Sequence, residues 1–245
     1  MQWIDSGVVL SARPFGDSAA VVTLLTEHNG RHAGLVHGAR TAARRGFLQC
    51  GTLVSARWSA RLADHLGRFD LEPQRAIAAA LFDDADRLAG LTSAAAVAER
   101  ALAERQHYPG VYDGLRALID SLAVPELGDT WLAVYLRWEL NLLQVLGYGL
   151  DLSRCAVTGE RTGLAWVSPR TGRAVTGQGA GEWTPRLLRL PEFLAGEGTV
   201  DASVPRADLA AGLDLTGHFL ARHVFAPAGQ PLPPGRARLA ARFAG

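Results

Sequence analysis

The sequence predicts an α+β chain: a small β domain over residues 1–72, a helical domain over 73–149 and 191–245, and an irregular insert at 150–190. Three observations carry that reading. Short, β-branched apolar runs broken by turn residues fill the first part of the chain. Apolar residues then recur at helical spacing, most clearly at Val111, Leu115, Leu118, Ile119 and Leu122. The insert shows neither period and is rich in Gly, Thr and Arg.

The β elements come first. Val8–Leu10 leads into a turn at Arg13–Asp17, and Ala20–Thr26 forms a second strand. Asn29-Gly30 is a strong hairpin signal, because both central positions of such a turn want positive φ. Ala33–Val36, Thr52–Trp58 and Leu62–Leu71 supply the third, fourth and fifth strands. Five short strands of this kind suit a small barrel or a sandwich.

The helices follow. Pro73 fits the first position of a helix, and Ile77, Leu81 and Leu88 keep rough helical spacing behind it. Thr92 and Ser93 are placed to cap a further helix carrying Val97 and Leu102. Asp129 is placed to cap the strongest helix, with Trp131, Val134, Tyr135, Trp138, Leu142 and Val145 on its buried side. Gly147 is its natural stop. A last helix spans about Pro205–Phe225, ended by Pro227, and the tail from Gln230 is extended before a short basic end.

Composition removes several function classes. The 245 residues are 48% hydrophobic and 20% charged, an ordinary globular balance. All 25 basic residues are arginine, so a P-loop lysine, a Schiff-base lysine and a pyridoxal-phosphate lysine are impossible. The N-terminal residues lack a basic region followed by an apolar run, which predicts no secretory leader. No apolar stretch suits a membrane span. Two cysteines, Cys50 and Cys155, point away from a disulfide framework and towards a reducing cytoplasm.

Charge is distributed unevenly. Residues 1–68 carry eight arginines against four acids, a net of +4. Residues 69–205 carry twelve against eighteen, a net of −6, and residues 206–245 five against two, a net of +3. A basic N-terminal face that meets a polyanion is one reading, and a solvated surface is the other. Arg31, Arg40, Arg44, Arg45, Arg57, Arg61 and Arg68 are opposed only by Asp64, and residues 38–46 read as a flexible cationic connection between strands three and four. Guanidinium groups bind phosphate bidentately and stack on bases. Phe47 and Trp58 either add aromatic faces for single-strand binding or fill the barrel core.

Other candidates are weaker. His28, His32 and His37 have no carboxylate partner at a metal-site spacing, and Cys155 has no protease-like surroundings. The glycine run 177–181 follows no strand-to-helix pattern. Asp83, Asp84 and Asp86 mimic a nuclease metal site, yet the first turn of a surface helix favours carboxylates anyway.

Four segments, at residues 8–17, 25–31, 37–40 and 137–152, together with Cys155 just beyond, resemble the RecO family in order and spacing. The resemblance implies an oligonucleotide-binding barrel (an OB-fold), a helical domain and a small zinc-finger-like insert. It implies a non-enzymatic, cytoplasmic and nucleoid-associated mediator of DNA repair and recombination. Such a protein binds single- and double-stranded DNA, anneals complementary strands and, with RecR, loads RecA at gaps coated by single-stranded-DNA-binding protein. The acidic C-terminal tail of that protein is an implied partner, with RecF and RecA as further ones; no membrane and no cofactor are involved. The expected DNA-binding residues are Arg13, Arg31, Arg40, Arg44, Arg45, Arg57, Trp58 and Arg61. Arg137 and Trp138, inside a matched segment, are placed to meet the tail, unless Arg137 only forms a surface ion pair.

One departure stands out. Family members often carry two Cys-x-x-Cys pairs that hold zinc, whereas residues 150–190 hold one cysteine, in Cys155-Ala156-Val157-Thr158, and no histidine. The expectation is an insert without metal, packed around Leu164, Trp166 and Val167. Rival readings are a metal-dependent nuclease or phosphatase using the acidic middle, and an RNA-binding barrel module.

Overall fold

In the computed structural model, which describes residues 1–62, 64–195 and 204–244, the five N-terminal strands close into a barrel of order β1-β2-β3-β5-β4. The strands are β1 (Gln2–Phe15), β2 (Ala19–Thr26), β3 (Gly30–Val36), β4 (Leu53–Ser59) and β5 (Arg68–Arg75), with a short helix α1 (Ala42–Phe47) between β3 and β4. The supposedly flexible connection therefore contains a helix, capped by Thr41, whose side chain accepts from the Arg44 backbone N–H.

Strand period decides what lies inside. Val22, Leu24, Val54, Ala56, Trp58, Phe69 and Leu71 point into the core, with Trp3 and half-buried Phe47 packed against them. Gly34 leaves room for the Phe69 ring, whose nearest atom lies 2.5 Å from where a Cβ would stand. The Asp5 carboxylate pins the β2–β3 hairpin by accepting from the backbone N–H groups of His28 and Asn29 at 2.9 and 3.1 Å. Burial works to raise its pKa, but these bonds and those from the two side chains outweigh it and hold the group below the usual carboxylate range.

The fifth strand differs from its expected bounds. Leu62 and Leu66 lie exposed in the connection before it, and Pro73, expected at a helix start, is inside β5 opposite Val54. The ladder slips beside that pair, between Leu53 and Val54, which is where a residue without an N–H can sit.

The chain divides into two compact units, Met1–Ala123 and Val124–Gly245. The first thus adds α2 (Ala85–Ala101) and α3 (Val111–Leu122) to the barrel. Asp84 caps α2 through the Arg87 N–H at 3.0 Å, so one of the three acids is used in helix initiation. Thr92 and Ser93 start no new helix: α2 runs through them, and Thr92 Oγ1 donates back to the Leu88 carbonyl at 2.9 Å.

The second unit is built on α4 (Trp131–Val145). Its N-terminus has no side-chain cap, and Asp129 instead pairs with Arg206 at 3.1 Å. Trp131, Tyr135, Trp138 and Leu142 are buried while Val134 and Val145 are half-buried. The insert forms a three-stranded sheet, order β7-β6-β8, from β6 (Leu164–Val167), β7 (Ala174–Thr176) and β8 (Leu188–Arg189). A single turn, α5 (Gly177–Ala180), follows β7. Beneath the sheet, Cys155, Val175 and Ala180 form a core with Leu164, Trp166 and Leu187 against it, and Val167 is also buried. The last long helix, α6 (Arg206–Phe219), continues through a π turn at Leu220–Phe225. The tail from Gln230 is non-helical only as far as Pro233; Gly235 and Arg236, expected in the extended part, lie with the basic end in a helix, α7 (Pro234–Phe243).

That helix delivers an arginine to the core. Arg236 Nε and Nη2 donate to the two Glu139 carboxylate oxygens at 2.7 and 3.0 Å, with both side chains essentially inaccessible. Tyr135 Oη donates to Glu139 at 2.7 Å, Thr216 Oγ1 donates to its other oxygen, and Arg236 Nη2 also reaches the Leu213 carbonyl. Both carboxylate oxygens of Glu139, and Nε and Nη2 of Arg236, have partners, as burial of two charges demands. Glu139→Gln or Arg236→Met strands one charge, and each is expected to cost about 3–5 kcal/mol in urea unfolding. A loss below about 1 kcal/mol would show that the pair is not buried as described.

His32 is a buried polar residue of the barrel. It is 4% exposed, both ring nitrogens lack partners, and it meets the edges of Trp58 and Trp3 at 4.8 and 5.0 Å. Burial, with the Arg105 charge second, lowers its pKa from 6.5 to about 4. The unfolded chain then takes up a proton below pH 6.5 that the folded chain refuses until about 4. Stability is complete above 6.5 and falls by up to about 3 kcal/mol across that window. Urea titrations of wild type and His32→Phe across it should show a steeper acid-side loss in wild type; parallel curves would contradict a neutral buried imidazole.

Candidate nucleic-acid interface

The pleat that turns Trp58, Phe69 and Leu71 inward turns Arg57, Ser59, Arg68 and Asp70 outward on β4 and β5. Arg57 lies opposite Asp70, and Ser59 opposite Arg68. Beside them, the end of β3 and helix α1 bring His37 and Arg44, whose guanidinium donates to the His37 carbonyl. Together these residues and the Phe69 edge line a groove of about 300 Å³. A shallower hollow of about 390 Å³, lined by Ala60, Arg61 and Gly67, shares Ser59 and Arg68 with it, so the two make one trough.

Four guanidinium groups, from Arg44, Arg57, Arg61 and Arg68, therefore face one surface with a single carboxylate, Asp70. Among the described residues none of the four is in an ion pair. Their charge is left for an external anion. Arg40 and Arg45 stand exposed on the same β3–α1 connection, Arg40 donating to the Asp17 carbonyl at the β1–β2 tip at 3.2 Å. Phe15, at that tip, is an exposed aromatic.

The remaining expected residues are placed elsewhere. Arg13 pairs with Glu99 of α2 at 2.7 Å, and Arg31 Nε donates to the Leu102 carbonyl at 2.8 Å. Both tie helices to the barrel. Trp58 is a core residue, its indole N–H donating to the Leu66 carbonyl at 3.0 Å, and cannot stack on a base. Sequence reasoning left Arg68 and His37 out of the site. Arg68 was visible as one of the clustered arginines; only the correct start of β5 shows that it shares a face with Arg57.

The three hairpin histidines have separate roles. His28 bonds Asp5 at 3.0 Å, which raises its pKa, His32 is in the core, and His37 lines the trough. Asp5, Glu27 and His28 approach one another closely enough to offer ligand atoms to a cation, but the Asp5 oxygens are already engaged by the hairpin.

In the second unit, Trp138 is buried against Tyr135 and offers no face to a partner. Arg137 Nη2 donates to the Phe193 carbonyl at 3.0 Å. The segment after β8 instead borders a groove of about 660 Å³, with Leu164, Trp166, Leu190 and Pro191 as apolar lining and Arg161, Arg189, Glu192 and Asp208 as charged lining, Arg189 pairing with Asp208 at 2.5 Å. The neighbouring insert does not fit zinc. Its one thiol, Cys155 Sγ, accepts from the N–H groups of Val157, Thr158 and Thr176 at 3.3–3.4 Å. Burial would raise the thiol pKa, yet the bonds from Thr158 and Thr176 outweigh it and bring it to about 6.

Comparison with known proteins agrees with this architecture. The family described as Recombination protein O N terminal matches residues 1–73, and Recombination protein O C terminal matches residues 83–231. DNA repair protein RecO of Rhodospirillum rubrum is 47% identical over 245 residues, covering 99% of this chain and 96% of its own length. The protein of that name from Caulobacter vibrioides NA1000 is 47% identical over 244 residues, covering 100% and 98%. That from Paracoccus denitrificans is 46% identical, covering 99% and 96%. An OB-type barrel, a helical second part and family matches along both halves lead to one conclusion: the chain belongs to the RecO family of DNA repair proteins.

Proposed function

We propose that the chain is a non-enzymatic mediator of recombinational repair. It binds single- and double-stranded DNA through the arginine trough, anneals complementary strands, and works with RecR to load RecA onto gaps coated by single-stranded-DNA-binding protein. The observation that carries the reading is the trough itself: four guanidinium groups without ion partners among the described residues, on the outer face of a closed barrel. Guanidinium forks match phosphate oxygens, and no helix offers itself to read base edges, so binding is governed by phosphate neutralisation. In this reading residues 1–72 act as the nucleic-acid module, 73–149 with 191–245 as the helical module, and 150–190 as its insert. The protein works in the cytoplasm at the nucleoid, and RecF is a further partner.

The acidic, apolar tail of the single-strand-binding protein suits the groove beside Trp166, where Arg161 faces its carboxylates, Arg189 being paired with Asp208 of the same lining, and Leu164, Leu190 and Pro191 face its side chains. Arg137 supports that groove by holding the Phe193 carbonyl. A peptide of that chemistry should bind wild type and lose about tenfold or more with Trp166→Ala, measured by fluorescence anisotropy; equal affinity would remove the tail from this groove.

For DNA, Arg57→Glu with Arg68→Glu should weaken single-strand binding at least about tenfold and flatten its dependence on salt by about one unit of slope per lost phosphate contact. Thermal stability should hold, because both side chains are exposed. Arg13→Ala should leave affinity and slope unchanged. Strand-annealing rates should follow affinity. Wild-type affinity and slope in the double variant would overturn the placement.

A further inference from the structure

Residues 69–205 carry a net charge of −6, yet within them residues 150–190 carry six arginines against three acids. The insert is a cationic island in an acidic stretch. It also displays Trp183, an indole 63% exposed. This side chain sits on a 3₁₀ turn, Gly181–Arg186, braced by Thr184 Oγ1 donating to the Gly181 carbonyl at 2.8 Å. Leu187, next along the chain, packs on the Cys155 core and anchors the turn from below. The Arg186 guanidinium carbon stands 5.4 Å from the Trp183 ring centroid. Neither Arg186 nor Arg170, also exposed, is in an ion pair among the described residues.

A largely exposed indole on an anchored turn adds little to the core and keeps most of its ring open to a ligand. Cationic surroundings select a polyanion, and a ring beside a guanidinium is the pairing on which unpaired bases stack. We propose that the insert carries a second nucleic-acid contact, selective for single strands, in which Trp183 stacks on a base and Arg186 meets a flanking phosphate. This rests on the reading of the chain as a DNA-annealing protein, and gives that protein a contact outside the barrel. A duplex keeps its bases in the stack and cannot use the indole, so the contact separates unpaired from paired strands.

The test uses the full chain with Trp183→Ala, Trp183→Phe or Arg186→Ala, beside the trough variant Arg57→Glu/Arg68→Glu. Each is titrated with labelled single-stranded and duplex oligonucleotides of equal length. Trp183→Ala should weaken single-strand binding about five- to a hundredfold, leave duplex binding and the thermal midpoint unchanged, and be largely rescued by Trp183→Phe. Arg186→Ala should weaken it less. Wild-type single-strand affinity in Trp183→Ala overturns the proposal. So does an equal loss on duplex, and so does unchanged DNA binding accompanied by loss of a protein partner. Should the trough variant bind normally while Trp183→Ala does not, the barrel reading fails and the insert contact stands.

Discussion

Closure of the barrel through β5 is the constraint on which the proposed site depends. β5 pairs antiparallel with β4 along its length, while its ladder with β3 is the parallel pair Leu35 and Arg68. That narrow seam is held by the Leu35 N–H donating to the Gly67 carbonyl at 3.0 Å. Gly67 has φ +67, and a Cβ there would fall 2.4 Å from the Trp58 indole nitrogen, so the turn needs glycine both for its angle and for its space. The period of two then assigns every side chain. A one-residue slip of β5 would put Arg68 and Asp70 into the core and Phe69 and Leu71 into water. The cost of burying those charges fixes the register, and the register puts Arg68, opposite Ser59, on the same face as Arg57. Packing and binding surface are two faces of one alternation.

The second unit solves a different problem with the opposite device. Its central helix α4 is apolar on most sides, yet carries Glu139 at zero exposure. The carboxylate is tolerated because Tyr135, one turn back on α4, and Arg236 and Thr216, from two other segments of the chain, converge on it. Such a pair adds little net stability over apolar packing, but it penalises any arrangement in which α7 docks elsewhere. The cation–ring contact of Arg206 over Phe243, 4.2 Å to the centroid, fixes the far end of the same helix.

What was legible in the sequence followed from local rules. β-Branched apolar runs between turn residues gave β2 and β3, Asn29-Gly30 gave their hairpin, and the 3.6 stripe gave α3, whose ends are the first and last residues of that stripe. The clustered arginines pointed to the barrel surface. The errors came where tertiary context overrode a local preference. Pro73 is a good helix starter, but a ladder irregularity accepts it in a strand. Thr92 and Ser93 resemble caps, but α2 has its own cap at Asp84 and buries Ser93 along its length. Arg13 and Arg31 were indistinguishable from Arg57 without knowing that Glu99 and the Leu102 carbonyl wait for them. Trp58 could be read as core or as a stacking surface, and only closure of the barrel decides for the core. Arg236 looked like part of a basic tail, because nothing local announces that its partner lies on α4.

The central claim is that nucleic acid is held on the β4–β5 face by Arg57 and Arg68 with Arg44 from α1. Amide hydrogen exchange with and without a saturating single strand tests it most directly. Slowed exchange should concentrate in residues 37–45, 55–60 and 67–70, while the segments around Arg13 and Arg31 stay as they are. Slowing confined to those two segments, or absent from the barrel altogether, would contradict the account.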